Sequence, residues 1–162
     1  QGASSGVVSN MTIQDVTATG NAASGFHVHG ATTSNMTGVT LQDIIATGNS
    51  QYGGYVQATG NSNVTSVILN AITATGNTLN GVFVDDDTTG TYNVDMGGGA
   101  LGGTGGSSIH SNTGTDLRVD LDGGALKAEN NWWGDPAGLQ PARRTLDAAS
   151  TVDSTPFLGA AP

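Results

Sequence analysis

A period of 28 residues constrains this chain more than any other feature. Thr19-Gly20-Asn21 returns as Thr47-Gly48-Asn49 and again as Thr75-Gly76-Asn77, 28 residues apart each time. Apolar residues return in the same register: Met11, Val39 and Val67; Ile13, Leu41 and Leu69; Val16, Ile44 and Ile72; Ala18, Ala46 and Ala74. Beyond the asparagine, Gly25, Gly53 and Gly81 align, followed by Val28, Val56 and Val84. A unit this short cannot bury its own apolar face. Stacked copies can, so the repeat predicts a solenoid.

Inside each unit the apolar residues alternate, with a phase break between runs: Met11 and Ile13, then Val16 and Ala18, then Phe26 and Val28. Period two means strands, and no helical stripe competes with it. The expectation is an all-β parallel solenoid of about five coils, stacked at about 4.8 Å per coil, with three short strands to a coil. Asn tolerates the left-handed backbone region and bonds locally at turns. Asn21, Asn49 and Asn77 should therefore stack as an amide ladder at one corner. Asn112 should join it, because Asn77 and Asn112 are 35 residues apart and the glycine-rich run Gly97–Gly106 accounts for the excess.

One domain is expected over 1–162: regular coils over about 7–91, a glycine-rich irregular coil over 92–128, and a closing cap and tail over 129–162. Residues 1–10 read as the tail of a preceding coil. Ser-Asn-Met-Thr at Ser9–Thr12 sits three residues closer to its coil than its counterparts at 34–37 and 62–65, which predicts a shortened first turn. These segments also place Asn-x-Thr sequons at Asn10, Asn35 and Asn63. Local hydrogen bonding at a repeated turn explains them better than glycosylation in a secretory host does.

The net charge is −9 and the pI near 4.2, which argues against nucleic acid or an anionic membrane as partner. No apolar run is long enough for membrane insertion. There is no cysteine, so thiolate–metal chemistry and disulfides are excluded. The composition suits an extracellular or cell-surface location.

Two outward columns carry the candidate chemistry. His27, Tyr55 and Phe83 form one, and His29, Gln57 and Asp85 the other. Together they read as a stacked aromatic and polar face on a rigid sheet; cross-strand pairs that stabilise the sheet are the favoured explanation, and a platform for sugar rings or for another protein is the other. Arg118 and Lys127 are expected away from that face. Asp85, Asp86 and Asp87 form an acidic turn that offers oxygen ligands for Ca²⁺. Two of them with Asp95 would make a general acid/base set if they converged on a cleft. No other cofactor is expected.

At Ala128-Glu129-Asn130-Asn131-Trp132-Trp133-Gly134-Asp135-Pro136 the chain resembles the C-terminal closing motif of right-handed parallel β-helix repeat proteins of the pectate-lyase-like superfamily. The glycine-rich coil before it and the short strand near Val152–Leu158 after it fit the same pattern. The resemblance implies a right-handed solenoid closed at its C-terminal end by Trp132 and Trp133, with an indole N–H reaching a carbonyl. Arg143 and Arg144 are expected to pair with Asp135, Asp147 or Asp153. The superfamily contains polysaccharide lyases, hydrolases and epimerases, alongside adhesins and surface proteins. With about five coils, the expectation is a non-catalytic structural or adhesive module, a subunit of a surface fibre or filament whose partners are other protein copies. The alternative is a carbohydrate-binding or polysaccharide-degrading module acting on extracellular polysaccharide.

Overall fold

The computed structural model describes residues 6–88, 90–122 and 124–162. The chain winds into a parallel β-solenoid of about five coils. One sheet contains β1 (Val7–Thr19), β3 (Asn35–Thr47), β5 (Asn63–Thr75), β7 (Tyr92–Asp95), β10 (Ala125–Lys127) and β12 (Thr151–Asp153), in that order. A short β8 (Ser108–His110) runs beside the end of β5. The other sheet contains β2 (Phe26–Gly30), β4 (Gly54–Gly60), β6 (Val82–Thr88), β9 (Leu117–Asp120) and β11 (Arg144–Leu146).

The repeat fixes the register. Val7 lies opposite Asn35, and Asn35 opposite Asn63, so successive coils pair residue for residue at the period seen in the sequence. That register overturns the shortened first turn. Ser9 lies opposite Thr37, not Ser34, so coil one is full length and its Ser-Asn-Met-Thr is out of step with the others. Val7–Asn10 likewise belong to β1 and not to an earlier coil; Gln1–Ser5 lie outside the described residues.

The expected three strands per coil become two. The first two apolar runs lie on one 13-residue strand. The phase break between them is a corner: Asp15, Asp43 and Ala71 adopt φ of 56°, 54° and 50°. A left-handed residue turns the strand without ending the ladder and resets which side chains point inward. Gly20, Gly48 and Gly76 make the next corner at φ 63–65°.

Inward side chains fill the space between the sheets. Val39, Val67, Leu69, Ile72, Val56 and Val84 are completely or almost completely buried. Glycine at 25, 53 and 81 has a steric cause. A Cβ on Gly53 would meet the Gly81 carbonyl oxygen at 2.6 Å, the Ala74 Cβ at 2.8 Å and the Asn77 amide at 2.8 Å. The alanine and glycine columns therefore make room for the asparagine ladder.

The ladder itself forms as expected. The Asn21 backbone N–H and Nδ2 both donate to Asn49 Oδ1, at 3.0 and 2.8 Å. Asn49 repeats both bonds to Asn77, and Asn77 to Asn112 across the longer 35-residue step. Each buried Nδ2 gives its second hydrogen to a carbonyl one coil earlier: Ala18, Ala46 and Ala74. Asn35 and Asn63 form a second, outer amide pair, with Asn63 Nδ2 donating to Asn35 Oδ1 at 2.8 Å.

The glycine-rich run has its own organiser. Asp95 is buried, and its carboxylate accepts from the N–H groups of Gly97, Gly99 and Gly103 at 2.8–3.2 Å. Cβ atoms on Gly99 or Gly103 would lie within 2.6 Å of that carboxylate. Asp95 is the anchor of the loop, and the expected acid/base set with Asp85–Asp87 does not assemble.

Replacing Asn77 by Ala strands the Ala46 carbonyl and two donors of Asn49, its backbone N–H and one Nδ2 hydrogen, in the interior, while Asn112 Oδ1 keeps only the bond from the residue-77 N–H. At about 1–3 kcal/mol for each unsatisfied buried group, the loss should reach at least about 3 kcal/mol. Asn21→Ala, at the exposed end of the same ladder, should cost about 1 kcal/mol or less. Urea unfolding of the two variants measures the difference.

Candidate functional site

The outward face of the second sheet is where the sequence placed its candidates, and register brings them together. His27 lies opposite Tyr55, and Tyr55 opposite Phe83. The rings stack almost coplanar: His27 on Tyr55 at 4.6 Å and 8°, Tyr55 on Phe83 at 4.8 Å and 5°. The fourth member is Arg118, whose guanidinium lies 4.2 Å above the Phe83 ring. This corrects the expectation that Arg118 sits apart from the face; Lys127 does sit apart, on β10 of the other sheet.

Stacking along the solenoid axis changes what the column can do. Tyr55 and Phe83 spend both faces on their column neighbours and turn an edge outward, while His27, first in the column, stacks on Tyr55 through one face. Phe83 is only 4% exposed, covered by Arg118 and by Tyr52, which tilts against both Tyr55 and Phe83. The column is therefore a stacked ladder, as expected, and it presents ring edges to solvent. Only His27, at the first coil, is exposed. Burial and the neighbouring His29, stacked beside it at 5.2 Å, push the His27 pKa down.

The second column runs His29, Gln57, Asp85 and Asp120, and Asp147 follows where its N–H bonds to the Val119 carbonyl. It changes from neutral to acidic along the axis. Asp85 Oδ2 accepts from the Tyr55 hydroxyl at 2.6 Å and from Gln57 Nε2 at 3.1 Å. His29 Nε2 lies 3.2 Å from the Thr59 hydroxyl. Burial, followed by the Asp85 carboxylate, pushes the Tyr55 phenol well above its usual range. Burial also raises the Tyr92 phenol, whose hydroxyl donates to the Val56 carbonyl.

The acidic turn at Asp85–Asp87 is not a turn. All three residues lie on β6, where strand alternation sends Asp86 to the opposite side from Asp85 and Asp87. Asp86 pairs with Ala58, a residue of the core. The expected Ca²⁺ grouping therefore does not converge. Carboxylate oxygens of Asp120, Asp122 and Asp147 do, all within 4.8 Å of one another. Burial and then the Asp147 charge raise the Asp120 pKa, and Arg118, 3.9 Å away, opposes them.

The C-terminal end closes the ladder with charge. Asp116, 1% exposed, accepts from the Asn112 N–H and Nδ2. Arg143 then grips Asp116 with Nε at 2.8 Å and Nη2 at 2.7 Å and also bonds the carbonyls of Gly114 and Asn112. None of the expected partners of Arg143 is used. Asp153 pairs instead with Lys127, which also meets Glu129.

The Asn131-Trp132-Trp133-Gly134 segment reads clearly in these terms. Asn131 is fully buried; its Oδ1 accepts from Ser107 N–H and its Nδ2 donates to the carbonyls of Met96, Ala128 and Glu129. Trp132 bridges to Ser108 through the backbone and stays half-buried. Trp133 enters the core, but its Nε1 is buried without a hydrogen-bond partner, contrary to expectation. Gly134 is required because a Cβ there would meet the His110 Cβ at 2.6 Å. The expected return of the tail is present: Leu158 N–H bonds the Asn131 carbonyl, and Phe157 packs on the core.

One polar cavity escaped the sequence reading. It measures about 340 Å³ and is lined by His110, Ser111, Asp116, Trp133, Asp135 and Arg143, among others. His110 Nδ1 and the Ser111 hydroxyl lie 2.8 Å apart. The available signal was Ser111 itself. It stands just before the ladder asparagine, where the regular coils have Gly20, Gly48 and Gly76, and it takes the same left-handed conformation at φ 57°.

Two outcomes follow from these contacts. Arg143→Met leaves Asp116 charged and buried, and should destabilise the chain by about 3–5 kcal/mol in denaturant titration. The phenol shifts set an alkaline limit. Tyr55 and Tyr92 hold their protons in the folded chain, while the unfolded chain releases them near pH ~10. Stability contributed by these groups is thus complete below pH ~10 and falls as pH rises above it. Absorbance titration should find both phenols protonated where a free tyrosine is half ionised, with their ionisation coinciding with unfolding.

Comparison with models of known families, with curated proteins and with solved structures finds no match to this chain.

Proposed function

We propose that this chain is a non-catalytic structural or adhesive module of an extracellular or cell-surface protein, serving as a rigid spacer in a surface assembly. The observation that carries the reading is the way the outward columns spend their chemistry on each other. Ring faces are stacked, Arg118 covers the last ring, and Tyr55 and Gln57 both bond Asp85. Such ladders stiffen a sheet. A net charge of −9 is compatible with solubility outside the cell. Among the described residues no helix is long and apolar enough to cross a membrane. Asn131–Gly134 support a place near the pectate-lyase-like group of right-handed β-helix proteins, in which such surface roles occur.

The second reading, binding or cleavage of an extracellular polysaccharide, draws on one feature. Arg118 puts a cation beside the carboxylates of Asp120, Asp122 and Asp147, and a polar column on a rigid sheet can follow a polymer. Two assays run together separate the readings. Negative-stain electron microscopy over a concentration series should show short rods of uniform width, and a polysaccharide panel should show no saturable retention. Saturable binding that is lost in Arg118→Ala, with the β-sheet spectrum unchanged, would overturn the structural reading in favour of the second.

A further inference from the structure

The two ends of the solenoid differ, and the difference identifies what the open one takes. At the N-terminal end, β1 and β2 are the edge strands of their sheets. Among the described residues nothing covers the inward columns there. Met11 is 37% and Val16 38% exposed, whereas their counterparts Val39, Val67, Ile44 and Ile72 are at most 1% exposed. Val8, Met11, Ile13, Val28 and Met36 line a recess of about 220 Å³ with His27 at its lip. The ladder is open too: Asn21 Oδ1 accepts from no described residue, while the Oδ1 atoms of Asn49, Asn77 and Asn112 each accept two bonds.

Bond polarity chooses the occupant. In the bonds between ladder amides the donor always lies on the N-terminal side and the acceptor on the C-terminal side. A second copy docked head to head would set one Asn21 acceptor against another. A second copy docked head to tail would present an end sealed by Asp116 and Arg143, with no ladder amide to give. The group that fits is an asparagine presented from a parallel coil, with its backbone N–H and its Nδ2 both directed at Asn21 Oδ1.

We propose that the N-terminal end is a docking face for one further parallel β-coil of the same 28-residue type. Its partner coil carries an asparagine in the ladder register and apolar residues over Met11, Ile13, Val16 and Ala18. It also sets a flat side chain on the open face of His27. The inference goes beyond the structural reading and holds whether the lateral faces bind sugar or nothing.

The chain supplies its own probe. A copy of residues 35–62, inserted between Gly6 and Val7, places a coil on the face in the register that β3 has with β5. The expected result is a higher thermal midpoint and amide exchange in β1 slowed at least about tenfold, as a frayed edge becomes an interior strand. The same insertion with Asn49→Ala in the inserted copy alone should keep the added coil folded but lose most of that protection. Protection that survives Asn49→Ala, or an insertion that leaves β1 exchange unchanged, overturns the proposal. A parent chain that sediments as a dimer with β1 already protected also overturns it, and assigns the face to a second copy. Polysaccharide binding by either chain bears only on the lateral face, so the two readings fail separately.

Discussion

The buried amide ladder is the interaction on which the rest depends. An asparagine at the corner of each coil uses both amide hydrogens and, in the interior, both acceptor positions of its carbonyl. One hydrogen goes to the next asparagine and one to a main-chain carbonyl a coil behind. Its satisfaction dictates the neighbours. Glycine must stand at 25, 53 and 81, because a Cβ there would collide with the amide of the next ladder asparagine. A ladder of this kind has direction, and a directed ladder must end in something other than itself. Here it ends on Asp116, an acceptor without donors, whose charge is bearable in the interior only because Arg143 meets it with two nitrogens.

Much of this was legible in the sequence, and the reason is arithmetic. Identical residues at a fixed interval must share one environment, so columns, register and core followed from the repeat alone. Asn112 was found because one insertion could be counted. The same count, applied to the other columns, would have placed Arg118 on Phe83 and Asp120 on Asp85, which also lie 35 residues apart. The signal was present, but the interrupted period hid it once the flanking residues stopped resembling their counterparts.

Other features left no periodic trace. Asp116 and Arg143 fall in the column of Gly53 and Gly81 without repeating its residue type, and a single long-range ion pair has no spacing to read. The left-handed corner shows only as a phase break, since Asp15, Asp43 and Ala71 share no residue type that announces positive φ. Ring orientation is also silent in sequence. Alternation puts His27, Tyr55 and Phe83 on one face, but the roughly 4.8 Å coil spacing decides that they stack on each other and do not lie flat.

That spacing bears on what a lateral face of this solenoid can offer. Side chains in one column sit at stacking distance, so flat groups satisfy each other and charged groups repel. The column beside the aromatic ladder shows both regimes. At Asp85 a carboxylate is met by Tyr55 and Gln57 from the coil before, and the charge is quenched by two donors. At Asp120, Asp122 and Asp147 carboxylates from neighbouring coils face each other, with Arg118 the nearby counter-charge. Clustered polar groups on such a surface therefore concentrate where the repeat degenerates: at the acidic end of the column and in the polar cavity beside Ser111. The regular coils contribute stiffness, because the same regularity that pairs every column leaves their outward groups already engaged.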